Sequence, residues 1–273
     1  MRITVVFYIV FLCSLATSIP SRVYSESIKP IIREEVEIVI DGIEERWSLE
    51  WVKPPVPHCQ PEDDDWMICP CNGFAYGERG DLDLVRKRKG KKEERFSLTR
   101  LFEYGDNFPI LADNKRQAVL MKWKPRKDDI DNYKLPGFIE EVAARPLAKI
   151  MNFGDYDHDG RATEFMLQID TLPCGKRMSI IAGISRESPR LHVFTSVSHP
   201  KEPLILQDWQ WEALRKAKDS TTVVQWPCGD HGSDGIDEYE LSAKKGDIFA
   251  LKRQYECNIE SGQKGRLLGE EEF

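Results

Sequence analysis

Apolar and polar residues alternate with a period of two through much of this chain, the spacing that sets one face of a strand against a core. Val36, Ile38 and Ile40 lead into the turn Asp41-Gly42, and Trp47, Leu49 and Trp51 resume the alternation, which predicts a β-hairpin. Leu82, Leu84 and Arg86, a basic turn, and Phe96, Leu98 and Leu101 outline a second hairpin. Val119, Met121 and Trp123 predict another strand, and more are expected at 163–170, 177–184, 190–195, 223–226, 238–243 and 247–254. The pattern turns helical twice, over Phe138–Ala144, stopped by Pro146, and over Gln207–Lys216, which carries Trp209, Trp211 and Leu214. Lys53–Asp65 holds Pro54, Pro55, Pro57 and Pro61 and closes on Glu62-Asp63-Asp64-Asp65, a composition that predicts a loop without ladder or helix. Residues 103–116 also read as loop, and 261–273, with Glu270-Glu271-Glu272, as a mobile acidic tail.

The expected fold is therefore mainly β with two short helices, built from antiparallel hairpins or a meander. A β-sandwich or a partial propeller-like sheet assembly would hold them. Gly80-Asp81, Gly154-Asp155 and Gly229-Asp230 recur at intervals of 74 and 75 residues, each shortly before an expected hairpin with a turn at Lys89-Gly90, Cys174-Gly175 or Lys245-Gly246. That spacing raises the question of an internal repeat, although Gly105-Asp106 and Gly246-Asp247 break the rhythm.

The amino terminus follows a different rule. Met1 and Arg2 precede an apolar run from Ile3 to Leu15, and Ala16 and Ser18 place small residues at −3 and −1 of a cut after Ser18. A helix over that run spans about 20 Å, short of the roughly 30 Å hydrocarbon core, so a secretory signal peptide at 1–18 is expected rather than an anchor. A single mainly β domain over 19–260 follows, secreted and with no membrane span after cleavage. Removal of Cys13 leaves Cys59, Cys69, Cys71, Cys174, Cys228 and Cys257, an even set that suits three disulfides in an oxidising compartment. Clustering favours Cys59 with Cys69 or Cys71, and Cys228 with Cys257.

In the 273 residues, 39 basic side chains face 46 acidic ones, for a net charge of −7, which argues against a general nucleic-acid binder. One local exception is Arg86-Lys87-Arg88-Lys89-Gly90-Lys91-Lys92. An exposed run of this kind can attract a glycan or another polyanion outside the cell, or serve as a solvated hairpin tip with Glu62–Asp65 as its internal partner.

The strongest chemical signal is Asp155-Tyr156-Asp157-His158-Asp159-Gly160. Ca²⁺ takes six to eight oxygens, and carboxylates at alternate positions of a tight loop can converge on one centre, with glycine permitting the sharp turn. Met166 occupies the twelfth position, where an EF-hand needs glutamate, and the residues after the loop alternate as a strand. On these residues the chain resembles the calcium loops of FG-GAP and VCBS repeats, the units of integrin-α-type β-propellers. The resemblance implies Asp155, Asp157 and Asp159 as side-chain ligands of a structural Ca²⁺ and Arg161 as a carbonyl ligand. The family's ninth-position Asp is Thr163 here, with Glu164 one place later as the candidate last ligand. A degenerate second copy is suggested at Asp230-His231-Gly232-Ser233-Asp234-Gly235. Through its Cys-Pro-Cys-x-Gly-Phe, Asp-His-Asp-Gly and Trp-Pro-Cys-Gly-Asp-His-Gly stretches, the whole chain also resembles a group of secreted fungal proteins that bring no established activity.

Competing chemistry is weaker. Cys228 and His231 could pair as thiol and base, but a bridged cysteine is the simpler expectation. His192, His199 and His231 with Asp230 could hold zinc, yet no His-Glu-x-x-His pattern supports it. Carboxylates between Asp155 and Glu164, or the Asp230-His231 corner, could instead serve a secreted hydrolase acting on polysaccharide. The balance favours a calcium-stabilised extracellular binding or structural module without catalysis.

Overall fold

The computed structural model describes residues 29–62, 71–105, 117–172, 176–229, 233–258 and 260–273. The signal segment, Cys69, Cys174, the acids Asp63–Asp65, the stretch 106–116 and Asp230–Gly232 lie outside the described residues. The chain runs through β1 (Ile31–Ile40), β2 (Ile43–Trp51), β3 (Val56–His58), β4 (Gly77–Gly80), β5 (Leu82–Arg88), β6 (Glu94–Ser97) and β7 (Ala118–Met121). Short helices α1 (Asp129–Asn132) and α2 (Phe138–Ala143) come next, then β8 (Phe153–Gly154), β9 (Glu164–Leu172), β10 (Lys176–Gly183), β11 (His192–Val193) and β12 (Leu206–Gln207). Helix α3 (Asp208–Lys216) precedes β13 (Ser220–Trp226), β14 (Gly235–Lys244), β15 (Asp247–Asn258) and β16 (Gln263–Glu272).

All strand pairs are antiparallel, in the orders β1-β2-β5-β6, β3-β4-β7, β11-β10-β9-β8 with β12 also on β10, and β13-β14-β15-β16. The mainly β hairpin architecture expected from the alternation is thus the observed one. Asp41-Gly42 and Lys245-Gly246 both take positive φ, as the tight turns of β1-β2 and β14-β15 require.

Period-two burial explains how the sheets stack. In β10, Ile180 and Ala182 join a core with Trp47, Leu49, Leu84 and Phe165, while Ile181 between them joins a second core. That second core contains Trp211 and Leu214 of α3 with Tyr239 and Leu241 of β14. The β8–β11 sheet is therefore buried on both faces, between the first sheet on one side and α3 with the last sheet on the other. Trp211 is fully buried and its Nε1 donates to the Ser179 carbonyl at 2.9 Å, so its polar edge is satisfied inside the core.

Several expectations are corrected. The proline-rich stretch holds a strand after all: β3 is only three residues long and lies at a sheet edge, where the donor missing at Pro57 costs least. Leu98 to Leu101 does not continue the second hairpin, because Thr99–Tyr104 forms a 3₁₀ turn that buries Leu101 and Phe102. The acidic tail, expected without regular structure, forms edge strand β16. Its charges are offset across the ladder by Arg253 to Glu270 at 2.7 Å, and Phe273 packs edge-on against Tyr239.

The basic run is largely consumed internally, by partners other than the acids expected. Arg86 is buried and makes a bidentate pair with Glu45, Lys87 pairs with Glu50 and Glu93, and Arg88 with Glu94. Only the tip, Lys89 to Lys92, stands clear of these pairs.

Cys59–Cys71 and Cys228–Cys257 are bridged, with Cα atoms 5.3 and 5.4 Å apart. The first bridge selects Cys71 over Cys69, and the second excludes Cys228 as a free thiol nucleophile. An alkylation count on the unreduced, denatured chain without residues 1–18 is expected to find no free thiol; two would mean that Cys69 and Cys174 stay unjoined. No described helix is long and apolar enough to cross a membrane.

Candidate metal centre

The aspartate loop links β8 to β9 and turns through left-handed backbone at His158 (φ 55°) and Gly160 (φ 88°). Asp155, Asp157 and Asp159 each offer a carboxylate oxygen, and these oxygens lie within 4.8 Å of one another. Two oxygens on one Ca²⁺ stand at most about 4.6–5.2 Å apart, so the spacing fits a shared ion. Backbone donors hold the carboxylates in place. The Asp159 N–H donates to Asp155 Oδ1 and Asp157 Oδ1, both at 3.1 Å, and Gly160 N–H donates to Asp155 Oδ2 at 3.0 Å. Arg161 and Arg186 N–H groups donate to the two oxygens of Asp159 at 2.8 and 2.6 Å. Asp157 Oδ2 alone is buried with no donor, a cost of roughly 1–3 kcal/mol or more for a charged oxygen unless a cation or proton meets it.

Tertiary contacts that the sequence did not announce enclose the loop. The β14-β15 turn lies over it, with Gly246 N–H donating to the Asp157 carbonyl at 3.0 Å and a Cβ on Gly246 only 3.6 Å from Asp157 Oδ2. Arg161, expected to offer its carbonyl, sends its side chain to Asp41 of the β1-β2 turn at 2.7 Å. His158 Nε2 meets the Leu214 carbonyl of α3 at 3.1 Å. The signal for the enclosing turn was Gly246-Asp247, a pair that seemed only to interrupt the Gly-Asp rhythm.

Glu164 takes a different place from the last-ligand position considered for it. It faces inward at the start of β9, opposite Gly154 and Gly183, where a Cβ on Gly183 would sit 2.4 Å from the Thr163 carbonyl oxygen. Its Oε2 accepts from Tyr156 N–H at 2.7 Å and its Oε1 from Thr163 Oγ1 at 2.7 Å and Thr163 N–H at 3.1 Å. The carboxylate thus ties the two ends of the loop together behind Asp157.

Asp157 and Glu164 have no exposed surface. Burial, then the nearby negative charges of Asp159 and Asp155, push the Asp157 carboxyl up to about 7. Burial and the charge of Asp157 push Glu164 up to about 8, against hydrogen bonds from Thr163 and Tyr156 that favour the anion. Both lie above the unfolded range near 4, so between about pH 4 and 8 the ion-free native chain holds protons that the unfolded chain has released. Stability of the chelated protein is expected to fall as pH rises through that window, by an amount on the order of a few kcal/mol. His192, lowered by burial, contributes the opposite slope near and below its ordinary value. Comparison of urea midpoints with Asp157→Asn at pH 5 and 8 isolates the carboxyl effect. An equal pH response in both chains would remove Asp157 from this account.

No protein-family model, curated protein or solved structure matches the chain. The residues therefore carry the functional reading by themselves.

Of the competing sites, only parts fall within the described residues. His192 lies against Phe194 with ring centroids 4.5 Å apart, and its Nδ1 meets the Arg190 carbonyl. Among the described residues, the other potential metal group is His58, Cys59 and Cys71, whose sulfurs are joined in a disulfide. Asp230 and His231, named for the zinc and hydrolase readings, lie outside the described residues, as does most of the degenerate second loop.

Proposed function

We propose that the protein is an extracellular β-rich binding or structural module stabilised by one Ca²⁺ held by Asp155, Asp157 and Asp159. The observation that carries this reading is the donorless, buried Asp157 Oδ2 inside a converging set of three carboxylates. A divalent ion there offsets the mutual repulsion of the carboxylates, and the surrounding turns couple that gain to the fold. Secretion, which the signal-like segment implies and the disulfides suit, would place the loop in a calcium-rich compartment. The likeness to FG-GAP and VCBS loops supports the same assignment.

A secreted hydrolase is the second reading, supported by the raised pKa of Asp157 and Glu164, which keeps a carboxyl protonated as a general acid requires. Their complete burial weighs against it, because a catalytic carboxyl must reach the bond it cleaves. Calcium titration by calorimetry tests the first reading directly: one site in the native chain, none in Asp157→Ala/Asp159→Ala. Hydrolysis of cell-wall glycans that Asp157→Ala abolishes while the fold survives would reverse the order of the two readings.

A further inference from the structure

Tyr156 of the aspartate loop also lines a second feature. A cleft of about 290 Å³ opens between β7, β9, β10 and the start of α3. It shares Met166, Asp208 and Glu212 with a neighbouring hollow of about 450 Å³ that extends to Trp209. The two form one continuous groove around the amino-terminal end of α3. We infer that this groove binds an acidic oligosaccharide, with Lys124, Lys149 and Arg177 facing its anionic groups and Trp209 stacking against a sugar ring. The inference rests on the extracellular binding-module reading and supplies its ligand class.

Three observations carry it. Lys124, Lys149 and Arg177 line the first cleft, and among the described residues none of them forms an ion pair. The basic run at Arg86–Arg88 shows the contrast, since its charges are already neutralised by glutamates. Glu212, the acid between the two hollows, is held below the usual carboxylate range by Arg215, which pairs with it at 2.7 Å. The cleft thus sets Lys124, Lys149 and Arg177 against Asp208 and Glu212, the latter already paired with Arg215, a local excess of positive charge on a chain whose net charge is −7.

The second observation is the division of the two neighbouring tryptophans. Trp211 is fully buried, whereas Trp209 is 41% exposed. Trp209 is nevertheless fixed, because its Nε1 donates to Gln207 Oε1 at 2.6 Å within the cap of α3. A rigid, exposed indole offers an apolar face at little cost in side-chain entropy.

The third is the chemistry of the lining. An apolar floor bearing Met166 and Leu167 lies beneath cations, carboxylates and the Asn152 amide. Sugars present both CH faces and hydroxyls, and the carboxylates of Asp208 and Glu212 can accept from those hydroxyls, for which a deoxyribose-phosphate strand offers few donors. That distinction favours a polyhydroxylated anion over a single-stranded nucleic acid, which would otherwise share the need for cations and a stacking platform.

The test is a calorimetric titration with tetragalacturonate and with a sulfated heparin tetrasaccharide, beside neutral maltotetraose and a short oligothymidylate. It is run in Ca²⁺ and again in chelator on the folded protein, so that calcium bridging by the sugar and failure of the metal reading are both separated from groove binding. Binding of either acidic sugar in both conditions is expected, with the uronate and sulfate arms identifying the preferred anion. Lys149→Glu/Arg177→Glu and, separately, Trp209→Ala are each expected to weaken binding about tenfold or more without shifting the melt. The proposal is overturned if neither acidic sugar binds, if maltotetraose binds equally well, if oligothymidylate binds more tightly, or if the variants retain wild-type affinity.

Discussion

Saturating Ca²⁺ is expected to raise the melting temperature of the oxidised mature protein by about 5–11 °C relative to chelator. At a hundred times Kd an ion that binds only the native state contributes about 2.7 kcal/mol, and for a domain of this size each kcal/mol moves the melt by about 2–4 °C. The physical source is local. Three carboxylates that bring oxygens within 4.8 Å of one another, with Asp157 Oδ2 buried and donorless, are under electrostatic stress that a divalent cation relieves. The Asp157→Ala/Asp159→Ala variant should lose the calcium response. Its melt in chelator should not fall far below that of the parent, since it also removes the repulsion. The β14-β15 turn supplies a further check, because Gly246 lies against Asp157 and adopts φ 97°. Gly246→Val should weaken the calcium shift as well as basal stability. Equal melts in Ca²⁺, Mg²⁺ and chelator would reduce the loop to a hydrogen-bonded turn.

Replacing Arg86 by Met is expected to cost about 3–5 kcal/mol at neutral pH, the effect of stranding one partner of a buried ion pair. Arg86 and Glu45 are each about 3% exposed at their side chains, and Arg86 Nε and Nη2 reach the two Glu45 oxygens at 2.6 and 2.8 Å. The guanidinium also donates to the Pro189 carbonyl and lies over Trp47, so it links β5 and β2 to the segment before β11. Burial pushes the pKa of Glu45 up, but hydrogen bonds from Arg86 and Trp47 outweigh it and leave the carboxyl below its ordinary value. A lowered carboxyl contributes stability above its unfolded value near 4.5 and loses it as pH falls. In Arg86→Met the stranded Glu45 takes up a proton readily, so the cost of the substitution should shrink toward pH 4. Arg86→Met/Glu45→Leu should recover much of the loss, since no buried charge then lacks a partner. Urea unfolding of the four chains at pH 7 and 4 measures both statements, and a loss below 1 kcal/mol for Arg86→Met would contradict them.

Local chemistry alone determined most of the elements. Alternation at Val36–Ile40 and Trp47–Trp51 with Asp41-Gly42 between them suffices for a hairpin, because the side-chain period and the turn's positive φ are properties of those residues themselves. The same holds for β9 with β10, for α2 and α3, and for the close spacing of Asp155, Asp157 and Asp159. Only the tertiary structure decided what depends on residues far apart in the chain. It sent Trp211 inward and Trp209 outward and gave Arg86 to Glu45. It also drew the acidic tail into an edge strand by placing Arg253 opposite Glu270, and set Gly246 over Asp157 some ninety residues away in sequence. A propensity or a spacing can state which way a side chain points along its own strand. Which oxygen ends up buried without a donor, and which lysine is left without an acid, depends on what the rest of the fold brings to it.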